Sequence, residues 1–146
     1  MAEQSVGTWI WQRLRPPRAR KAWEFDPCSP DIAARVRSEI RQVLQRCGRA
    51  DAIERLDIVY AELVANSIRH APGKVQVQLE CPQSGGAVVL HVKDRGPGYH
   101  AISRLPLDVL SESGRGLFII SMYSDRFVVR RRLGGGSYAR IWLNPP

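Results

Sequence analysis

The spacing of apolar and polar positions divides the chain into strands and helices before any chemistry is considered. Residues 19–26, Ala-Arg-Lys-Ala-Trp-Glu-Phe-Asp, alternate well enough for an edge strand, which Pro27 and Pro30 end. Ser29 as cap and Pro30 in the first turn predict a helix start. Ile32, Val36, Ile40, Val43 and Leu44 then recur at helical spacing to about Cys47, and Gly48 closes the helix. A second helix is predicted from Asp51 to about His70, where Ile53, Leu56, Val59, Tyr60, Leu63, Val64 and Ile68 form a broad apolar stripe. After a break at Ala71-Pro72-Gly73, residues 74–80 and 87–94 read as two strands of a hairpin, turned at residues 82–86. Residues 99–113, polar and interrupted by Pro106, predict a loop. Gly114-Arg115-Gly116 reads as a glycine turn opening a helix that runs through Met122, and residues 126–132 and 137–143 form a second hairpin around Gly134-Gly135-Gly136. Strand, helix, helix, hairpin, loop, helix, hairpin is the order of an α+β two-layer sandwich, a mixed sheet with helices on one face.

Size and composition narrow this without changing it. A chain of 146 residues suffices for one domain with a real core and is short for two. The reading is a basic, tryptophan-containing tail over residues 1–18 and a domain over residues 19–146. Trp9, Ile10, Trp11 and Leu14 could form a short partner- or membrane-facing helix, and packing on the domain or a disordered start is the preferred reading. Apolar content of 44% and charged content of 25% suit a globular protein; no run of eighteen apolar residues implies a membrane span. The start lacks the charged region and apolar run of a secretory signal. Cys28, Cys47 and Cys81 are odd in number and widely spaced, so they are expected to be reduced thiols without a role in a cytoplasmic protein. The net charge is +8, and residues 1–21 hold five basic residues against one acid. That balance suits nucleic acid or an acidic surface, but an arginine-rich solvated surface is the simpler account, and nucleic acid is not expected as a partner.

Three stretches carry candidate chemistry. Glu62, Asn66 and His70 follow one another at intervals of four residues, so they fan across about 80° of one helix face. Glu62 and Asn66 lie at the edge of the apolar stripe, where a carboxylate and an amide need a reason to be. A carboxylate there can act as a base or orient a water, and an amide oxygen can hold a hard cation. Asp94-Arg95-Gly96-Pro97-Gly98 ends a buried strand with a carboxylate and two glycines, and glycine lets backbone approach a ligand closely. Gly114-Arg115-Gly116-Leu117 opens a helix, whose unpaired N–H groups and partial positive charge suit a phosphate.

In this order and setting, the three stretches resemble the nucleotide-binding boxes of the gyrase, histidine-kinase and MutL ATPase superfamily, over roughly residues 20–146. Within it, Ala61-Glu-Leu-Val-Ala-Asn66-Ser-Ile-Arg-His70-Ala71, Gly114-Arg-Gly-Leu-Phe-Ile-Ile and the mere fifteen residues between Gly98 and Gly114 look most like the anti-sigma-factor serine-protein kinases of bacteria. The resemblance implies a Bergerat-type ATP-binding fold and a serine/threonine kinase that uses ATP and Mg²⁺, sequesters a sigma factor and phosphorylates a STAS-type anti-anti-sigma antagonist. A homodimer is implied as well. Carried over by position, Asn66 would hold Mg²⁺, Glu62 would act as general base, and Asp94 would accept a hydrogen bond from the adenine amino group. Gly96 and Gly98 would let the chain pass close to the nucleotide, while Gly114, Gly116 and Leu117 would offer N–H groups to the phosphates. His70 would lie beside the site, Ser137 would stand where some members place a hydroxyl near adenine, and Arg104 or Arg115 could supply a cation or be solvated. The alternative is a non-catalytic ATP-binding module that controls a protein partner by nucleotide-dependent binding.

Overall fold

A computed structural model describes residues 19–71, 73–82, 85–96 and 112–146. The predicted tail over residues 1–18, Gly98, Arg104 and most of the predicted loop lie outside them. Among the described residues, five strands and three helices follow in chain order: β1 (Ala19–Phe25), α1 (Pro30–Arg46), α2 (Ile53–His70), β2 (Val75–Cys81), β3 (Val88–Asp94), α3 (Glu112–Tyr123), β4 (Arg126–Arg131) and β5 (Ser137–Leu143). Pro30 sits in the first turn of α1, where its missing N–H costs no hydrogen bond, and Ser29 is the cap position, without a side-chain cap bond. A single 3₁₀ turn, Ala50–Ala52, leads into α2. Asp51 in that turn does not cap the helix through its side chain; its carboxylate pairs with Arg49 instead.

The strands stand in the order β1-β2-β3-β5-β4, and every neighbouring pair is antiparallel. The expectation of a mixed sheet is corrected here. Two helices separate β1 from β2, so the chain re-enters the sheet from the opposite end. A single helix separates β3 from β4, which therefore run parallel, but the hairpin inserts β5 between them. The α+β two-layer design holds: alternate strand residues such as Val77, Leu79, Leu90, Val92, Ala139 and Ile141 share one core with Ile40, Leu44, Leu56, Leu63 and Ile120 of the helices. Ile68, read from the sequence as part of the apolar stripe of α2, is 47% exposed.

An ion-pair cluster ties α1 to α2. Arg37 Nε and Arg41 Nε of α1 donate to the Asp57 carboxylate of α2 at 3.1 and 2.8 Å. Burial opposes the charged form of Asp57, but the hydrogen bonds and charges of Arg41 and Arg37 outweigh it, and its pKa lies below the ordinary value. A carboxylate with a depressed pKa contributes stability above its unfolded pKa, roughly 4, and that contribution is lost as pH falls through the folded value. Asp57→Asn should therefore flatten the loss of stability below about pH 4 while costing about 1–2 kcal/mol at pH 7. Denaturant melts of both proteins at a series of pH values test this, and parallel pH profiles would exclude it.

The cysteines are the second correction. Cys47, at the end of α1, and Cys81, at the end of β2, form a disulfide, 34 residues apart, and Cys28 is free and exposed. Both partners are buried, Cys47 at the helix end lying over the strand end, which sequence spacing cannot show. From the loop it closes, the bond is worth about 4 kcal/mol. Reduction should lower stability by that amount, and thiol titration of the denatured, unreduced protein should find Cys28 alone. Detection of all three thiols would remove the bond from the native state.

Candidate functional site

β3 points Val88, Leu90, Val92 and Asp94 into the core side, so the pattern that buries three apolar residues also buries a carboxylate, 8% exposed. A buried carboxylate needs donors, and Asp94 has four. Its Oδ1 accepts from the Gly96 N–H at 2.9 Å, the Ser137 N–H at 3.2 Å and the Ser137 hydroxyl at 2.6 Å; its Oδ2 accepts from the Ser67 hydroxyl at 3.1 Å. Ser137 stands directly opposite Asp94 in the β3–β5 register. Gly136, at φ +93°, lies so close to the Asp94 carbonyl that a Cβ would collide with its oxygen. Gly96 is similarly confined: a Cβ there would lie 2.9 Å from the His70 carbonyl oxygen and 3.1 Å from the Ala71 Cβ. The turn after β3 is thus laid on the end of α2. Because three donors converge on Oδ1 and one on Oδ2, the second oxygen retains acceptor capacity.

α2 supplies the other wall. Asn66 is buried, Glu62 half-buried, and His70, the last helical residue, has an exposed side chain. α3 crosses α2 at Gly116, where a Cβ would stand 3.2 Å from Glu62 Oε2 and 3.5 Å from both amide atoms of Asn66. Leu117, beside it, is a core residue, and Arg115 is exposed. The helix begins at Glu112, two residues before the boundary read from the sequence. Gly114 therefore lies in its first turn, and the amides of Gly116 and Leu117 lie within the helical ladder. The N-terminus of α3 lies about 6 Å along the axis from Gly116, so its partial positive charge is one turn from Glu62 and Asn66. Arg69 Nη2 approaches Asn66 Oδ1 at 3.4 Å. Beyond Gly96 and Gly136 opens a cleft of about 600 Å³ whose other walls include Arg95, Arg131 and Arg132, a cationic approach for an anionic ligand.

The fold thus brings Glu62, Asn66 and Gly116 together, and separately Asp94, Gly96 and Ser137. Ser67, next to Asn66 on α2, joins the two groups through its bond to Asp94. His70 meets the site through its backbone carbonyl at Gly96, while Gly98 and Arg104 fall outside the described residues. Ser67 is the residue that sequence reading missed. Its signal was present: it continues the core positions Leu56, Tyr60 and Leu63 at helical spacing, a hydroxyl where an apolar residue belongs, and it is 1% exposed. Among the described residues no three His, Cys, Asp or Glu side chains gather to cage a metal. The oxygens of Asn66 and Glu62 are hard donors that suit Mg²⁺ only with ligand phosphates and water completing its shell.

A family model described as a histidine kinase-like ATPase domain matches residues 27–142. Among solved structures, the Acinetobacter baumannii histidine kinase AdeS is similar, with 17% identity and a TM-score of 0.44, over 94% of this chain and 72% of that one. No curated protein matches the chain.

Proposed function

This chain belongs to the histidine kinase-like ATPase domain family, and from that premise we propose that it is an ATP- and Mg²⁺-dependent serine/threonine protein kinase acting as an anti-sigma factor. Its substrate is a STAS-type anti-anti-sigma protein and its second partner a sigma factor. Homodimerisation belongs to the same reading. The observation that carries it is Asp94, with three donors on Oδ1 and acceptor capacity left on Oδ2, joined through Ser67 to the helix crossing that holds Glu62 and Asn66.

Asp94 Oδ2 keeps the acceptor capacity that an adenine amino group would use. Asn66 Oδ1 would hold Mg²⁺, which when bound neutralises phosphate charge. Phosphoryl transfer demands positioning and charge stabilisation more than covalent help. Glu62 accepts the proton of the substrate hydroxyl as that oxygen bonds to the γ-phosphorus and the bond to the bridging oxygen of ADP breaks. Arg115 and the N-terminal turn of α3, which contains Gly114, would serve the phosphates with positive charge.

The test is to mix the protein with ATP, Mg²⁺ and its STAS-type antagonist and follow phosphoserine or phosphothreonine. Phosphorylated antagonist is the expected result; no transfer with ATP binding intact would overturn the kinase reading. One observation favours the second reading, a binding-only ATP module: the Arg69 guanidinium lies beside the Asn66 oxygen that Mg²⁺ needs. That reading predicts partner control unchanged in Glu62→Ala.

A further inference from the structure

The helices use one face of the sheet. Read across the strands, the residues opposite one another in register also define the other face, and among the described residues no helix packs on it. Its charge is divided unevenly. The β1–β2 half carries both acids, Glu24 and Glu80, with polar and basic partners. The β3–β5–β4 half carries Lys93, Arg140, Arg126 and Arg130 with no acid among them, arranged around Tyr138 and Trp142. Lys93 and Arg130 lie 5.9 and 5.2 Å from the Tyr138 ring; Arg126 and Arg140 lie 4.7 and 4.6 Å from the Trp142 ring.

A groove of about 910 Å³ runs over this face from the β1–β2 half, where Glu24 and Glu80 line it, to Lys93, Tyr138 and Arg130, with the fully exposed Leu133 on its wall; Arg126, Arg140 and Trp142 lie on the same face outside it. Within the face, Arg140 Nε is enclosed without a hydrogen-bond partner, while His91 meets the Tyr138 hydroxyl through Nδ1 at 2.9 Å and lies 3.6 Å from Glu80 Oε1 through Nε2.

We propose that this face is the docking surface for an acidic protein segment, whose Asp and Glu carboxylates meet Arg126, Arg130, Arg140 and Lys93. The rings decide between an acidic protein and a single-stranded nucleic acid. Bases bind such sheets by stacking on free aromatic faces, and here both rings are already engaged by cations. A guanidinium lying over a ring keeps its N–H edge free, and that edge matches a carboxylate in a two-point contact. Like charge disfavours a second copy on the same face. The first eighteen residues of the chain, with three arginines against Glu3, are disfavoured on the same ground. The surface is independent of the kinase reading, since β3 turns its odd-numbered residues to this face and Asp94 to the other.

The test uses the full chain, with fluorescent poly-L-glutamate and an oligothymidylate of equal charge as probes, followed by anisotropy over a salt series. R126E/R130E is compared with R35E/R46E, the same change in charge on exposed positions of α1, and thermal melts confirm that each folds. R126Q/R130Q serves if the charge reversal does not fold. Poly-L-glutamate affinity is expected to fall about tenfold in the sheet variant and less than about twofold in the α1 variant. Equal losses in both would reduce the effect to net charge and overturn the proposal. So would tighter binding of oligothymidylate that is lost in Tyr138→Ala and Trp142→Ala, or a dimer in light scattering that R126E/R130E dissolves.

Discussion

Glu62→Gln is expected to slow phosphoryl transfer to the protein substrate about a thousandfold while ATP affinity stays within about threefold. Glutamine has the same shape and fits the same space. Glu62 Oε2 already borders the site where α3 crosses, 3.2 Å from the position a Cβ on Gly116 would take, so a bulkier replacement would press on that crossing. What glutamine lacks is a basic lone pair. The variant therefore separates proton acceptance from packing, which Glu62→Ala does not. Single-turnover transfer and nucleotide titration on the same preparation give the two numbers. Unchanged transfer would leave Glu62 a positioning residue at most. A parallel loss of ATP affinity would mean that the carboxylate is needed to hold the α2–α3 crossing rather than for chemistry.

The elements of this fold were legible because each has a period of its own. Val75, Val77 and Leu79 alternate, and Ile40 and Leu44, or Val59 and Leu63, repeat at a helical turn, so strands and helices could be told apart and placed on one face. What was not legible depends on how the elements meet. Strand direction follows from the number of helices between strands and from where a hairpin inserts, so β5 between β3 and β4 made the sheet antiparallel throughout. Cys47 and Cys81 are neighbours only because α1 ends over the end of β2. The site divides in the same way. Glu62, Asn66 and Asp94 announce themselves as polar residues at buried or half-buried positions. Ser67 is a small hydroxyl that passes for a tolerated core residue until Asp94 is seen beside it. The tightness of Gly96, Gly116 and Gly136 likewise depends on distant residues: His70 and Ala71, Glu62 and Asn66, and Asp94.

Asp94→Asn is the companion experiment, and it should leave the fold standing while weakening ATP binding about a thousandfold. The asymmetry of the carboxylate makes this separable. An asparagine can keep its oxygen where Gly96 and Ser137 converge, preserving all three bonds to Oδ1. Its amide nitrogen then faces Ser67, whose hydroxyl can turn its hydrogen to the Leu63 carbonyl at 3.1 Å and accept instead. The cost to folding should be no more than about 1–2 kcal/mol. At the second position, however, an acceptor has become a donor, and an adenine amino group would meet another N–H. The same change should favour a base that presents an oxygen there, so the ratio of ATP to GTP affinity should fall with the absolute affinity. Calorimetric titration with both nucleotides, alongside thermal melts, reads all three quantities. ATP affinity retained within about threefold in a folded variant would mean that Asp94 is held for structure alone, and that the base is recognised elsewhere.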